Sequence, residues 1–123
     1  MKLLVAGSRS ITDEYAVIKI LAPHRENISL LITGGAKGVD QLAENWADYW
    51  HIPTKIIEPA WRDMFGNYDP QAGHKRNSEM LKMCDKVIVI WDGESAGTLD
   101  TISKAIDSQI DIEIYFRDSD EKE

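Results

Sequence analysis

Short apolar runs in this chain each hand over to a glycine-bearing loop, and each loop opens a helical pattern. Leu3-Leu4-Val5-Ala6 leads into Gly7-Ser8-Arg9-Ser10. Leu30-Leu31-Ile32 leads into Thr33-Gly34-Gly35-Ala36-Lys37-Gly38-Val39-Asp40, and Val87-Ile88-Val89-Ile90-Trp91 into Asp92-Gly93-Glu94-Ser95-Ala96-Gly97-Thr98. A continuous apolar run of strand length suits a strand buried on both faces. Strands alternating with helices favour parallel pairing through right-handed crossovers. The loops that leave such strands gather at the carboxyl edge of the sheet, where open α/β folds bind ligands.

The intervening segments complete the pattern. Thr12 and Asp13 can cap a helix that turns Tyr15, Ile18 and Leu21 or Ala22 inward, and Pro23 helps to end it. Val39, Leu42, Ala43, Trp46, Ala47 and Trp50 recur at the helical period. Pro53 blocks further helix, and Thr54 to Ile57 reads as a third strand. Residues 58–73 are rich in Pro, Gly, Asn, Asp and aromatics and read as a long loop, often a functional feature in a compact domain. A helix is expected from about His74 to Met83, another from Gly97 to Ser108 with Leu99, Ile102 and Ile106 on one face, and a last strand from Ile112 to Phe116. The expected fold is α/β: a single Rossmann-like domain over residues 1–117, with a mostly parallel five-stranded sheet and helices on both faces. The run Asp118-Ser119-Asp120-Glu121-Lys122-Glu123 reads as an acidic, disordered tail.

With 123 residues, 43% of them hydrophobic, the chain can build one core. No apolar run approaches the roughly 18 residues of a membrane span, and the stretch from Met1 to Gly7 is too short for a signal peptide. A single cysteine, Cys84, excludes an internal disulfide and fits a cytoplasmic setting. The net charge of −7 argues against a general nucleic-acid binder but leaves room for a small anionic ligand. His24, His51 and His74 lack metal-ligand spacing, so neither a metal nor a cofactor is expected. Trp46, Trp50 and Trp91 read as core. Trp61, Phe65 and Tyr68 in the long loop suit a base platform, a lid or a surface for self-association.

The loops suggest an anion site. Gly7, Ser8 and Arg9, then Gly34, Gly35, Ala36, Lys37 and Gly38, then Ser95, Gly97 and Thr98 offer close backbone approach, free N–H groups and the positive ends of helices. The glycine spacing fits neither the dinucleotide pattern nor the phosphate loop of nucleotide triphosphatases, so NAD binding and ATP hydrolysis are not expected. Asp40 can cap backbone N–H groups or meet a ribose hydroxyl. His74-Lys75-Arg76 stands at a helix start, the wrong end for cations by the dipole alone. An anionic ligand would resolve that conflict, with Arg76 as a two-pronged clamp and Asn77 near the sugar.

Taken in order, G-S-R, G-G-A-K-G-V-D, K-R-N-S-E-M and S-A-G-T-L-D-T-I resemble the SLOG superfamily, and more narrowly its small YspA/YpsA-like members of bacteria and phages, over roughly Lys2 to Phe116. The resemblance implies a Rossmann-like fold that binds nucleotides or nucleotide-derived ligands at these loops, as a sensor or regulatory domain, and commonly self-associates. It also implies an enzymatic alternative. The superfamily includes DprA and the "Lonely guy" phosphoribohydrolases, which cleave the base from a nucleoside 5′-monophosphate. Their R-K-x-E-M segment matches here at Arg76, Glu79 and Met80. Their P-G-G-x-G-T-x-x-E segment matches at Gly97 and Thr98, but its catalytic glutamate falls on Thr101. Asp100 is one residue earlier, a rotation of about 100° on a helix. An enzyme would therefore rely on Arg76 with Asp40 or Asp100. A third reading is a protein-interaction module built on the aromatic loop.

Overall fold

The computed structural model describes residues 1–118. The tail expected from residue 118 onward lies, except for Asp118, outside the described residues. Strands β1 (Lys2–Gly7), β2 (Leu30–Thr33), β3 (Thr54–Ile56), β4 (Lys86–Trp91) and β5 (Asp111–Phe116) form one sheet in the order β3-β2-β1-β4-β5. Every pairing in it is parallel. Helices α1 (Glu14–Leu21), α2 (Val39–Tyr49), α3 (Ala72–Met83) and α4 (Ala96–Asp107) supply the crossovers, and a 3-10 segment, Ala22–Asn27, follows α1. The arrangement is the expected α/β, Rossmann-like one.

Successive strand residues point to opposite faces. Leu3, Val5, Leu31, Ile88 and Ile90 pack with Val17 and Leu21 of α1 and with Ala43 and Trp46 of α2. Leu4, Ile32, Val87 and Val89 pack with Met80 and Leu81 of α3 and with Ile102 and Ala105 of α4. Burying each such branched side chain contributes about 1.5–3 kcal/mol. Both faces are covered, which is why the central strands read as unbroken apolar runs. Among the described residues no helix is long and apolar enough to cross a membrane.

Three helical faces differ from the sequence reading. In α1, Val17 and Leu21 form the buried i, i+4 pair while Tyr15, two residues out of phase, is 72% exposed. In α4 the buried stripe is Thr98, Thr101, Ile102 and Ala105, and the larger Leu99 and Ile106 face solvent. Small residues on the inner stripe let α4 sit close, so size misleads where period does not. Trp50 is the C-cap of α2, beyond its last full turn, and is exposed under the guanidinium of Arg25, 4.0 Å from the ring centroid. The next residue, His51, adopts a positive φ of 58° and ends the helix.

The long loop after β3 has structure of its own. Arg62 and Tyr68 form an antiparallel bridge, Trp61 stacks on Tyr68 at 6.1 Å, and the Asp63 carboxylate accepts from the amides of Phe65 and Asn67. A turn at Asp69, its carboxylate accepting from the Gln71 amide and its carbonyl from Ala72, leads into α3, which begins at Ala72, two residues earlier than expected.

Gly7 is demanded by packing at the end of β1. A Cβ there would collide with the Ile90 carbonyl and lie 2.6 Å from Val39 Cβ. Gly7→Ala should therefore destabilise the domain by about 1–3 kcal/mol through overpacking, read as a lower urea midpoint with an unchanged m-value. A wild-type midpoint would contradict this packing.

Candidate functional site

The strand order reverses at β1, which has β2 on one side and β4 on the other. Outside the carboxyl ends of β1 and β4 lies a cavity of about 570 Å³, where switch-point crevices of open parallel sheets lie. Gly7, Arg9 and Ser10 line it from the end of β1 and the loop after it; Ala36 and Lys37 from the loop after β2 and Asp40 from the first turn of α2; Arg76 and Asn77 from α3; Ser95, Gly97 and Thr98 from the start of α4. The candidate residues Ser8, Gly34, Gly35, Gly38 and Asp100 are not in its lining.

Ser8 serves the framework. It is 1% exposed. Its amide donates to the Ile90 carbonyl, its carbonyl accepts from Ile11 and Val39, and its hydroxyl accepts from the Asp92 amide and bonds Ser95 Oγ at 3.0 Å. One serine thus ties three loops together. Gly38 supports the same contact, with φ +81° and no space for a Cβ beside the Ser8 carbonyl. Asp92, absent from the sequence candidates, accepts from the Glu94 and Ser95 amides, the Ser95 hydroxyl and the Ser10 hydroxyl. Desolvation pulls its carboxyl upward, but these bonds outweigh that and hold it at about 2. An Asp two and three residues before the amides it captures is a local turn signal, legible in Asp92-Gly93-Glu94-Ser95.

Because Ser95 Oγ is engaged by Ser8 and Asp92, it makes no cap bond to α4. Leu99 is the first residue whose amide reaches back, to the Ser95 carbonyl. The amides of Ala96, Gly97 and Thr98 have no acceptor among the described residues, as first-turn amides lack one within the helix. A Cβ added at Gly97 would meet open space.

Arg76 is half-buried. Its Nη1 donates to the Gly34 carbonyl at 2.8 Å and to the Ile57 carbonyl at 3.3 Å, and its Nε donates to Asn77 Oδ1 at 3.0 Å. Nη2 has no acceptor among the described residues. The two-pronged clamp expected from sequence is corrected: Nε and Nη1 are occupied, leaving one nitrogen for a ligand. Burial lowers the guanidinium pKa, with Asp40 opposing and Arg9 reinforcing, though an arginine stays charged throughout the ordinary range. Asn77, expected near a sugar, is used internally: its Nδ2 donates to Asp100 Oδ2 and to the Gly97 carbonyl.

The rest of the basic run is engaged by carboxylates. Lys75 Nζ lies 2.7 Å from Asp69 and His74 Nδ1 lies 3.0 Å from Asp100. Asp100 also accepts from Lys104 at 2.9 Å. Desolvation pushes Asp100 upward, but hydrogen bonds from Asn77, Lys104 and His74 prevail and lower its pKa. Thr101, one step along α4, lines the cavity instead. The acid of α4 therefore points into an ion-pair network, and Asp40 is the carboxylate left for any acid–base role in the lining.

Asp40 is 6% exposed. Its Oδ2 accepts from the amides of Gly34 at 3.1 Å and Ala36 at 3.2 Å, which shapes the glycine loop rather than capping α2. Desolvation raises its pKa to about 7 against the opposing Ala36 amide and Arg76, with Glu44 adding to the rise. Below about pH 4 the group is protonated whether folded or unfolded and contributes nothing. Between about pH 4 and 7 the unfolded chain loses the proton first, so stability falls as pH rises; above 7 the cost is complete, on the order of 4 kcal/mol. Asp40→Asn should remove this decline. Urea midpoints at about pH 5 and 8 check it, and parallel profiles for the two proteins would contradict it.

Comparisons with known proteins agree with this architecture. The family model of the YspA, cpYpsA-related SLOG family matches residues 1–63. The Gene 61 protein of Mycobacterium phage D29 is 29% identical over 106 residues, covering 79% of this chain and 82% of that protein. DNA processing protein A (DprA) of Streptococcus pneumoniae superposes with a TM-score of 0.77 at 19% identity, over 92% of this chain and 49% of its own. This chain thus spans about half the length of that protein. DNA processing protein A of Helicobacter pylori superposes with a TM-score of 0.74 at 18% identity, over 98% of this chain and 68% of its own. At such identities the likeness concerns the fold. The Helicobacter pylori protein has a single-stranded DNA binding mode. That corrects the inference from net charge against nucleic acid: the fold is compatible with it, and the field of a cleft is set by the charges lining it.

Proposed function

The chain belongs to the YspA, cpYpsA-related SLOG family, and from that footing we propose that its cavity binds the phosphate of a nucleotide or nucleotide-derived ligand, as a sensor or regulatory domain. The observation that carries this reading is the convergence of the unpaired first-turn amides of α4 with the cationic Arg9, Lys37 and Arg76 in one cavity. Helix N-terminal amides and a guanidinium together suit an anion. The open space over Gly97 allows phosphate oxygens to approach the backbone.

A second reading takes the phosphate from single-stranded nucleic acid, and the shared fold with the Helicobacter pylori protein favours it. One thermal-shift panel compares the two: nucleoside mono-, di- and triphosphates, cyclic nucleotides, ADP-ribose and a short single-stranded oligonucleotide. A ligand at about 100 times its dissociation constant adds roughly 2.7 kcal/mol, a shift on the order of several degrees for a domain of this size. Arg76→Ala should weaken the ligand's effect at least about tenfold, the loss of one charge-assisted hydrogen bond. No shift with any compound, or equal affinity in the variant, would overturn the phosphate reading.

A further inference from the structure

Asp40 is the one carboxylate among the cavity-lining residues. Its Oδ2 is saturated by the amides of Gly34 and Ala36, whereas Oδ1 receives no donor among the described residues. The groups acting on it come from each neighbouring element: the two amides from the loop after β2, Arg76 from α3, and Glu44 one turn along α2. Glu44 itself accepts from the Thr33 hydroxyl at 2.6 Å. Arg9 and Lys37 share the cavity. A phosphate drawn to Arg76 Nη2 would thus enter a cavity already holding a buried acid. An ionised carboxylate beside a phosphate oxygen is disfavoured by like-charge repulsion, which a proton on the carboxyl removes.

We propose that Asp40 meets a phosphate oxygen as a hydrogen-bond donor through protonated Oδ1, so that ligand binding takes up one proton from solvent. This rests on the phosphate reading above. Burial raises the carboxyl's pKa to about 7, and the field of an arriving anion raises it further. Affinity then falls about tenfold for each pH unit above 7, while the bound form stays protonated.

The test uses ADP-ribose, whose phosphates do not titrate near neutrality, in isothermal calorimetry at about pH 6 and 8. At about pH 7.5 it is repeated in two buffers of different ionisation enthalpy. The expected result is roughly tenfold weaker binding at the higher pH, with buffer-dependent heat approaching one proton taken up per ligand. Asp40→Asn keeps an acceptor for the two amides and offers an N–H donor, so its affinity should be independent of pH with no proton uptake. Binding by the wild type with neither pH slope nor buffer dependence would overturn the coupling and leave the phosphate site intact. Binding at neither pH would remove ADP-ribose as a ligand and the coupling with it.

Discussion

Parallel strands cannot be joined by a tight turn. Each pair needs a crossover, and right-handed crossovers fix the face on which the connecting helix lies. This chain runs outward from β1 to β2 and β3, then returns to the other side of β1 for β4 and β5. The reversal sends α1 and α2 to one face and α3 and α4 to the other. It also parts the loops after β1 and β4, and the crevice between them is the cavity. The web around Ser8 then holds the walls in register, linking Ile90, Val39, Asp92 and Ser95 through one buried residue.

Charge is distributed with similar economy. The chain is acidic overall, yet Arg9, Lys37 and Arg76 share one cavity with a single carboxylate. Acids elsewhere engage the rest of the basic run, Asp69 pairing with Lys75 and Asp100 contacting His74 Nδ1. Arg76 differs because its protein partners are carbonyl and amide oxygens, which orient the guanidinium without cancelling its charge.

The alternation of apolar runs and glycine loops made the parallel sheet legible, since period and run length survive packing. Helical faces built from small residues were harder to read, as the exposed Leu99 and the buried Thr98 and Thr101 show. At the site, the gathering of loops followed from topology, but the division of labour among side chains depended on contacts between residues distant in sequence. Ser8 meets Asp92 and Ser95 across more than 80 residues. Asn77 is consumed by Asp100, Gly97 and Arg76. Nothing local distinguishes a serine or asparagine that faces a ligand from one that braces the residue that does. Asp40 is intermediate: its place in the first turn of α2 was legible, whereas its burial against the Gly34 loop arises only once β2 and α2 are packed.

The most direct measurement is a backbone amide NMR titration with ADP-ribose and with a nucleoside 5′-monophosphate. An anion seated at the switch point should give its largest shifts at the amides of Ala96, Gly97 and Thr98, with smaller ones at Arg9 and Lys37. Shifts confined to the Trp61–Tyr68 loop, with the start of α4 unchanged, would contradict a phosphate site at the reversal of strand order.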